Sequence, residues 1–285
     1  MKITAAIAQV DSRVGDLKHN IAHHVEFIDR ARRNGADLVM FPELSLTGYS
    51  LKDLAWELSV DPKTEPLFKT LRERSKKISI VAGFVESGAN HGIYNSAVFF
   101  ENGEVKHVHR KTYLPSYGMF EEGRYFSLGR AIRAFNSKHG RIGMLVCEDA
   151  WHVSVPYLLA LDGAEALLCL TASPTRVSGE NQKIGVEVVN QEHHRTYARL
   201  LNTYFLFSNR VGFEDGVSFW GGSAIVSPGG TMLAQAKLNK EDLVFGQIDS
   251  IEVERARRFS RHFLDERPEL VIRTLRRLLN TDQSA

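Results

Sequence analysis

Apolar and polar positions follow two rhythms along this chain, and the switches between them lay out its elements. Residues 3–10 are apolar and partly β-branched, the pattern of a half-buried strand. Leu17, Ile21, Val25 and Ile28 then recur at helical spacing, and Asn34-Gly35 supplies the stop. Residues 37–41 form a short apolar run closed by Pro42, so strand, helix and strand make a βαβ unit. Residues 78–85 and 94–100 read as strands, and Glu101-Asn102-Gly103 turns the second into a strand over 105–109. A second hairpin is predicted over 131–146, turning near His139-Gly140. Residues 166–170 and 203–207 are further buried strands with a long helix over 181–201 between them, and 223–227 and 231–236 flank a Pro228-Gly229-Gly230 turn. Trp220-Gly221-Gly222 reads as a strand entry with close backbone packing.

This alternation predicts layered α/β architecture with mixed parallel and antiparallel pairing. No Pro- or Ser-rich linker, low-complexity tract or short repeat interrupts it, so residues 1–285 are read as a single domain. The composition, 43% hydrophobic and 25% charged, supplies ample core, and a formal charge of +2 gives no reason to expect a polyanionic partner. Arginines gather from Glu252 onward (Arg255, Arg257, Arg258, Arg261 and others). Acids intervene and no RNA- or DNA-binding motif accompanies them, which favours a solvated or subunit-contacting helix face over a nucleic-acid patch. No apolar run approaches the roughly 20 residues that span a bilayer, and the amino terminus lacks the pattern of a signal peptide. Two cysteines are too few for a disulfide framework and suit a reducing compartment. A soluble, cytoplasmic protein is expected, with neither membrane nor nucleic acid as partner.

Three places carry candidate chemistry. Phe41-Pro42-Glu43-Leu44 ends a buried strand, where partial desolvation raises a carboxylate's pKa toward that of a working base; a loop glutamate held by backbone amides fits the same residues. Lys111, in His109-Arg110-Lys111-Thr112, ends a hairpin strand and could stabilise a developing oxyanion, or serve as a surface lysine on an edge strand. Cys147 follows Gly143-Met144-Leu145-Val146 and precedes polar residues and a helix that Pro156 is expected to interrupt. Helix-terminal amides at such a corner would lower a thiol's pKa and favour the nucleophilic thiolate, whereas most free cysteines are small core residues. Cys169, inside Leu167-Leu168-Cys169-Leu170, fits the core role better. Together the three offer a base, a cation and a nucleophile at strand ends, where open α/β sheets assemble sites. Histidine pairs (His23-His24, His107 with His109, His193-His194) lack any accompanying metal-binding spacing, so no metal is expected.

On these residues the chain resembles the nitrilase, or carbon–nitrogen hydrolase, superfamily over nearly its whole length. Within it, the stretches Glu43-Leu44-Ser45-Leu46-Thr47-Gly48-Tyr49, 111–126, Cys147-Glu148-Asp149-Ala150-Trp151 and Ala172-Ser173-Pro174 are most similar to the glutaminase domain of glutamine-dependent NAD synthetases. The resemblance implies a four-layer α-β-β-α sandwich that pairs into a homodimer or higher homo-oligomer. It also implies a catalytic triad of Glu43, Lys111 and Cys147. A second family glutamate near the lysine and substrate matches Glu122, with Glu121 its neighbour in the motif. In the glutaminase branch, Tyr117, Glu148 and Ser173 would contact the substrate. That branch usually places a basic residue soon after a glycine downstream of Ser-Pro. Here Val177-Ser178-Gly179-Glu180 runs differently, which leaves Arg176 or Lys183 as stand-ins out of register. The implied reaction is cofactor-free hydrolysis of a small amide, glutamine or another ω-amide, through a thioester. An N-carbamoyl amide or a nitrile would use the same triad. The synthetase half of the resembled proteins does not follow in these 285 residues, so a separate ammonia-consuming synthetase is a candidate partner.

Overall fold

The computed structural model describes residues 2–175 and 185–281. The amino-terminal half builds β1 (Lys2–Gln9), α1 (Leu17–Arg33), β2 (Leu38–Met40), a short α2 (Leu54–Glu57) and α3 (Lys69–Ser75). It continues with β3 (Ser79–Ser87), β4 (Ile93–Glu101), β5 (Glu104–Arg110) and the single turn α4 (Glu122–Tyr125). The second half runs β6 (Phe135–Ser137), β7 (Gly140–Val146), α5 (Ser154–Leu161), β8 (Ala166–Thr171), α6 (Gly185–Leu201) and β9 (Tyr204–Asn209). After β10 (Val211–Glu214), β11 (Val217–Trp220), β12 (Ala224–Val226) and β13 (Met232–Gln235), the chain returns as β14 (Asp242–Asp249) and ends in α7 (Ser250–Phe259) and α8 (Pro268–Thr281).

Two mixed six-stranded sheets result, ordered β14-β1-β2-β3-β4-β5 and β13-β12-β9-β8-β7-β6. The period of two along a strand decides how they stack. In β1, Ala5 and Ile7 point into an apolar layer shared with Met144, Val146, Leu168 and Leu206 of the other sheet. Their neighbours Ala6 and Ala8 point the opposite way, against Ile21, Phe27 and Ile28 of α1 and Leu71 of α3. On the far side, Leu145, Leu167, Cys169 and Phe205 face Val155 and Leu159 of α5 and Ala198 of α6. Three apolar layers between four tiers of structure make an α-β-β-α sandwich.

Local chemistry sets the turns. Asn102 and Gly103 take φ of 54° and 89°, the positive pair that a two-residue type I′ hairpin requires. The hairpin over 131–146 is shorter than its pattern suggests: β6 starts only at Phe135, and Ser137 pairs with Gly140. Gly129 N donates to Lys111 O at 2.8 Å, which anchors the preceding segment to the end of β5. Pro156 does not break α5. It lies in the first turn, where its missing N–H has no helical partner to lose. The β10–β11 hairpin and β14 have no counterpart in the sequence-based assignment. None of the helices among the described residues is long and apolar enough to cross a membrane. Several of the carboxy-terminal arginines are paired locally, Arg255 with Glu252 at 2.7 Å and Arg261 with Asp265 at 3.4 Å.

Candidate active site

Glu43 sits on the turn that leaves β2. Phe41 N donates to Val81 O (2.8 Å) and Leu46 N to Gly83 O (3.0 Å), so the turn lies directly across β3. A Cβ on Gly83 would come within 2.3 Å of Leu44 N, which only glycine avoids. Lys111 follows β5, with its N–H donating to Asn95 O at 2.9 Å. Cys147 follows β7 and opens a five-residue 3₁₀ turn (Cys147–Trp151). Both Leu44 and Cys147 are non-glycine residues at positive φ, 48° and 46°, the kind of local backbone strain that collects at functional sites.

These strand ends converge. Lys111, 1% exposed, donates from Nζ to Glu43 Oε1 at 2.8 Å and to Glu122 Oε1 at 2.7 Å. Glu43, also buried, accepts from Asn95 Nδ2 (2.7 Å) and from Ala172 N (2.8 Å). Glu122 accepts from Tyr49 Oη at 2.7 Å, while its Oε2 is buried without a hydrogen-bond partner. Of the two adjacent acids, Glu122 is the one turned to the lysine; Glu121 is exposed. The Cys147 thiol lies within the electrostatic reach of Glu43, Lys111 and Glu122, although the residue keeps some accessible surface.

The charges follow from burial. Desolvation alone would lower Lys111, but Glu122 and Glu43 override it and hold the ammonium well above its ordinary range. Burial lifts the Glu122 carboxyl to about 7 against the pull of Lys111. Burial, then the Glu43 charge, push the Cys147 thiol well above the usual thiol range, with Lys111 opposing. The thiol lowered by helix-terminal amides, expected from sequence, is therefore corrected: burial beside carboxylates outweighs one short 3₁₀ turn. Cys169 is buried among apolar side chains facing the outer helices.

The other sequence-predicted residues flank this cluster. Tyr117 Oη donates to the Glu148 carboxylate at 3.0 Å. Ser173, next to the Ala172 amide that meets Glu43, accepts from Trp220 Nε1 at 3.1 Å and donates its N–H to Asn209 Oδ1 at 2.8 Å. Arg176 and Lys183 lie outside the described residues. A pocket of about 280 Å³ opens against Tyr49 and Glu122, walled by Leu51, Phe120 and Tyr125, with Lys52 and Asp215 paired at 2.9 Å among its residues. Asn95 and Tyr49, which partner the two carboxylates, are absent from the sequence-derived candidates. A lone asparagine inside the apolar run of β4 carries a readable signal; Tyr49 carries none beyond its nearness to Glu43. The histidine pairs separate: His24 bonds Ser45 Oγ (2.9 Å), His109 bonds Asp149 (2.8 Å), and His194 stacks on Phe205.

Comparison with known proteins gives matches along most of the chain. The carbon–nitrogen hydrolase family model matches residues 4–258. A glutamine-dependent NAD(+) synthetase of Acinetobacter baylyi is 33% identical over 244 residues, 86% of this chain and 44% of that protein. The chain thus spans less than half of that relative. A citrullinase of Francisella tularensis is 29% identical over 281 residues, 94% of this chain and 96% of that protein. The crystal structure of a carbon–nitrogen hydrolase from Helicobacter pylori shares the fold, with a TM-score of 0.83 at 24% identity over 96% of this chain and 99% of that one.

Proposed function

Because the chain belongs to the carbon–nitrogen hydrolase family, we propose that it hydrolyses a small primary amide at Cys147 and releases ammonia. The observation that carries this reading is the buried junction at Lys111, where Glu43 and Glu122 meet one ammonium beside the Cys147 thiol.

The raised thiol suits a nucleophile that is deprotonated only as it attacks. Glu43 takes the thiol proton while Cys147 Sγ bonds to the amide carbon, and the carbonyl electron pair moves to oxygen. Lys111 and the backbone N–H of Glu148 hold that oxyanion; losing one such donor typically costs about 2.7–4 kcal/mol of transition-state stabilisation. Collapse of the intermediate breaks the C–N bond as Glu43 returns its proton to the departing nitrogen. Glu43 then draws a proton from water, whose oxygen attacks the thioester, and the acid leaves as the Cys147 thiol is regenerated. The unpartnered Oε2 of Glu122 leaves an acceptor for a substrate N–H.

An ω-amide such as glutamine is the preferred substrate in this reading, because Tyr117 and Glu148 form a polar pair beside Cys147 and Ser173 follows the amide that meets Glu43. The likeness to a citrullinase along nearly its full length supports an N-carbamoyl compound as the second reading. Ammonia release from glutamine, other ω-amides, N-carbamoyl compounds and nitriles tests both. Ammonia should be released from an amide, and that release should be lost in Cys147→Ala. Release from none of the panel, or activity surviving in Cys147→Ala, would end it. Glutaminase activity that appears only with an added NAD synthetase would place the chain as an ammonia-supplying subunit.

A further inference from the structure

We propose that Asp149 is a positioning residue that locks the nucleophile's turn to the lysine's strand end; this rests on Cys147 and Lys111 having the roles given above. Asp149 is 0% exposed, and each of its oxygens serves two donors. Oδ1 accepts from Thr112 N (2.9 Å) and Tyr113 N (3.1 Å), the first two amides after Lys111. Oδ2 accepts from Val146 N at 3.0 Å, the amide just before Cys147, and lies 2.8 Å from His109 Nε2, two residues before Lys111. One side chain therefore grips the segments on both sides of Lys111 and the residue ahead of Cys147.

Capping the 3₁₀ turn would need only the bond to Val146. The other three run to β5 and to the segment just after it, across 36 to 40 positions of sequence, and His109 is itself buried at 2% exposure. Such an investment of a buried carboxylate makes physical sense as registration. Lys111 follows the edge strand β5 of one sheet and Cys147 follows β7, second from the edge of the other, and a shift of about 1 Å between reacting groups can cost about a hundredfold in rate. The same carboxylate also opposes relaxation of Cys147 from φ 46°, since Val146 cannot swing away while its amide is held.

Asp149→Asn separates registration from bulk packing. The side-chain oxygen can keep Thr112 and Tyr113, but the new NH₂ then faces Val146 N–H, donor against donor, and the nucleophile's turn is released. Three measurements read the result: alkylation of Cys147 by iodoacetamide, followed by peptide mass spectrometry in which buried Cys169 should stay unmodified as long as the protein is folded; thermal midpoint; and kcat and KM on an amide hydrolysed by the wild type. Asp149→Asn should fold, alkylate Cys147 about 10- to 100-fold more slowly, and lose kcat to a similar degree with KM within about threefold. A folded Asp149→Asn with wild-type alkylation and kcat would overturn the proposal. Should it fail to fold, His109→Phe removes one of the four bonds and keeps an aromatic ring. Where the thermal midpoint shows that the somewhat larger ring is accommodated, it should slow alkylation about 3- to 10-fold, and an unchanged rate would likewise overturn the proposal. Alkylation reads the thiol whether or not any amide is turned over. A wild type inactive on every amide would therefore sink the function and leave this claim to be judged by its own result.

Discussion

Lys111 keeps its charge out of water only because Glu43 and Glu122 stand within 2.8 Å of it, and a buried cation stripped of one partner is costly. The pH dependence follows from the same imbalance. Glu122 titrates near 7 in the fold and near 4.5 as an ordinary glutamate, so between those values the folded state holds a proton that the unfolded chain has released. Stability contributed by this site therefore falls as pH rises through that window. Glu122→Gln should flatten that slope in urea melts and lower kcat about 10- to 100-fold; an undiminished slope would mean that burial does not control this carboxyl. Glu43, Lys111 and Cys147 are readable as candidates because each follows a predicted strand, apolar in the case of Glu43 and Cys147 and a hairpin strand in the case of Lys111. Their partners are less legible: Asn95 meets Glu43 across 52 positions, Tyr49 meets Glu122 across 73, and Asp149 reaches Thr112 across 37. No local period encodes such distances. The thiol's direction was hidden too, since burial of Cys147 depends on what the rest of the chain packs around it.

Strand β3 shows how an element that contributes no reacting side chain can still position one. Gly83 lets the Glu43 turn lie against the strand with backbone touching backbone. Gly83→Ala should cost about 1–3 kcal/mol of stability and, because the clash falls on Pro42 and Leu44, should reduce kcat in whatever fraction folds. Calorimetry together with activity per folded molecule checks both, and a stable, fully active variant would show that the turn can move freely. Most strands are visible from sequence because the buried ones read as apolar runs between turn residues. The β10–β11 hairpin escapes that reading, although Asp215-Gly216, at φ 49° and 81°, is a type I′ pair. Its strands are only four residues each. Strand β14 escapes because it is a partly exposed edge interrupted by Gly246, so its pattern is neither a clean alternation nor a buried run.

Across the whole molecule, four tiers leave histidines inside. Burial lowers His24 and His194 to about 3 and His107 to about 4. Unfolding lets each take a proton below its ordinary 6.5, so stability should fall as pH drops from 6.5 toward those values. His194 stacks on Phe205 at 4.7 Å and lies 4.1 Å from Phe207. His194→Phe should therefore remove one proton's share of this acid sensitivity, about 1.4 kcal/mol per pH unit. Urea melts between about pH 5 and 7 test this; parallel wild-type and variant slopes would count against it. The layered class is legible in the alternation of strand and helix. The pairing of two sheets face to face is not, because it depends on β14 returning to β1 after the second sheet is complete.

On this mechanism one sulfur, that of Cys147, carries the reaction. Intact-protein mass spectrometry after brief exposure to a mixture of amides and N-carbamoyl compounds tests it most directly. A single acyl increment should map to Cys147, be retained in Cys169→Ala and be missing in Cys147→Ala. An increment that maps elsewhere, or ammonia released with no adduct at Cys147 even under rapid quenching, would contradict it.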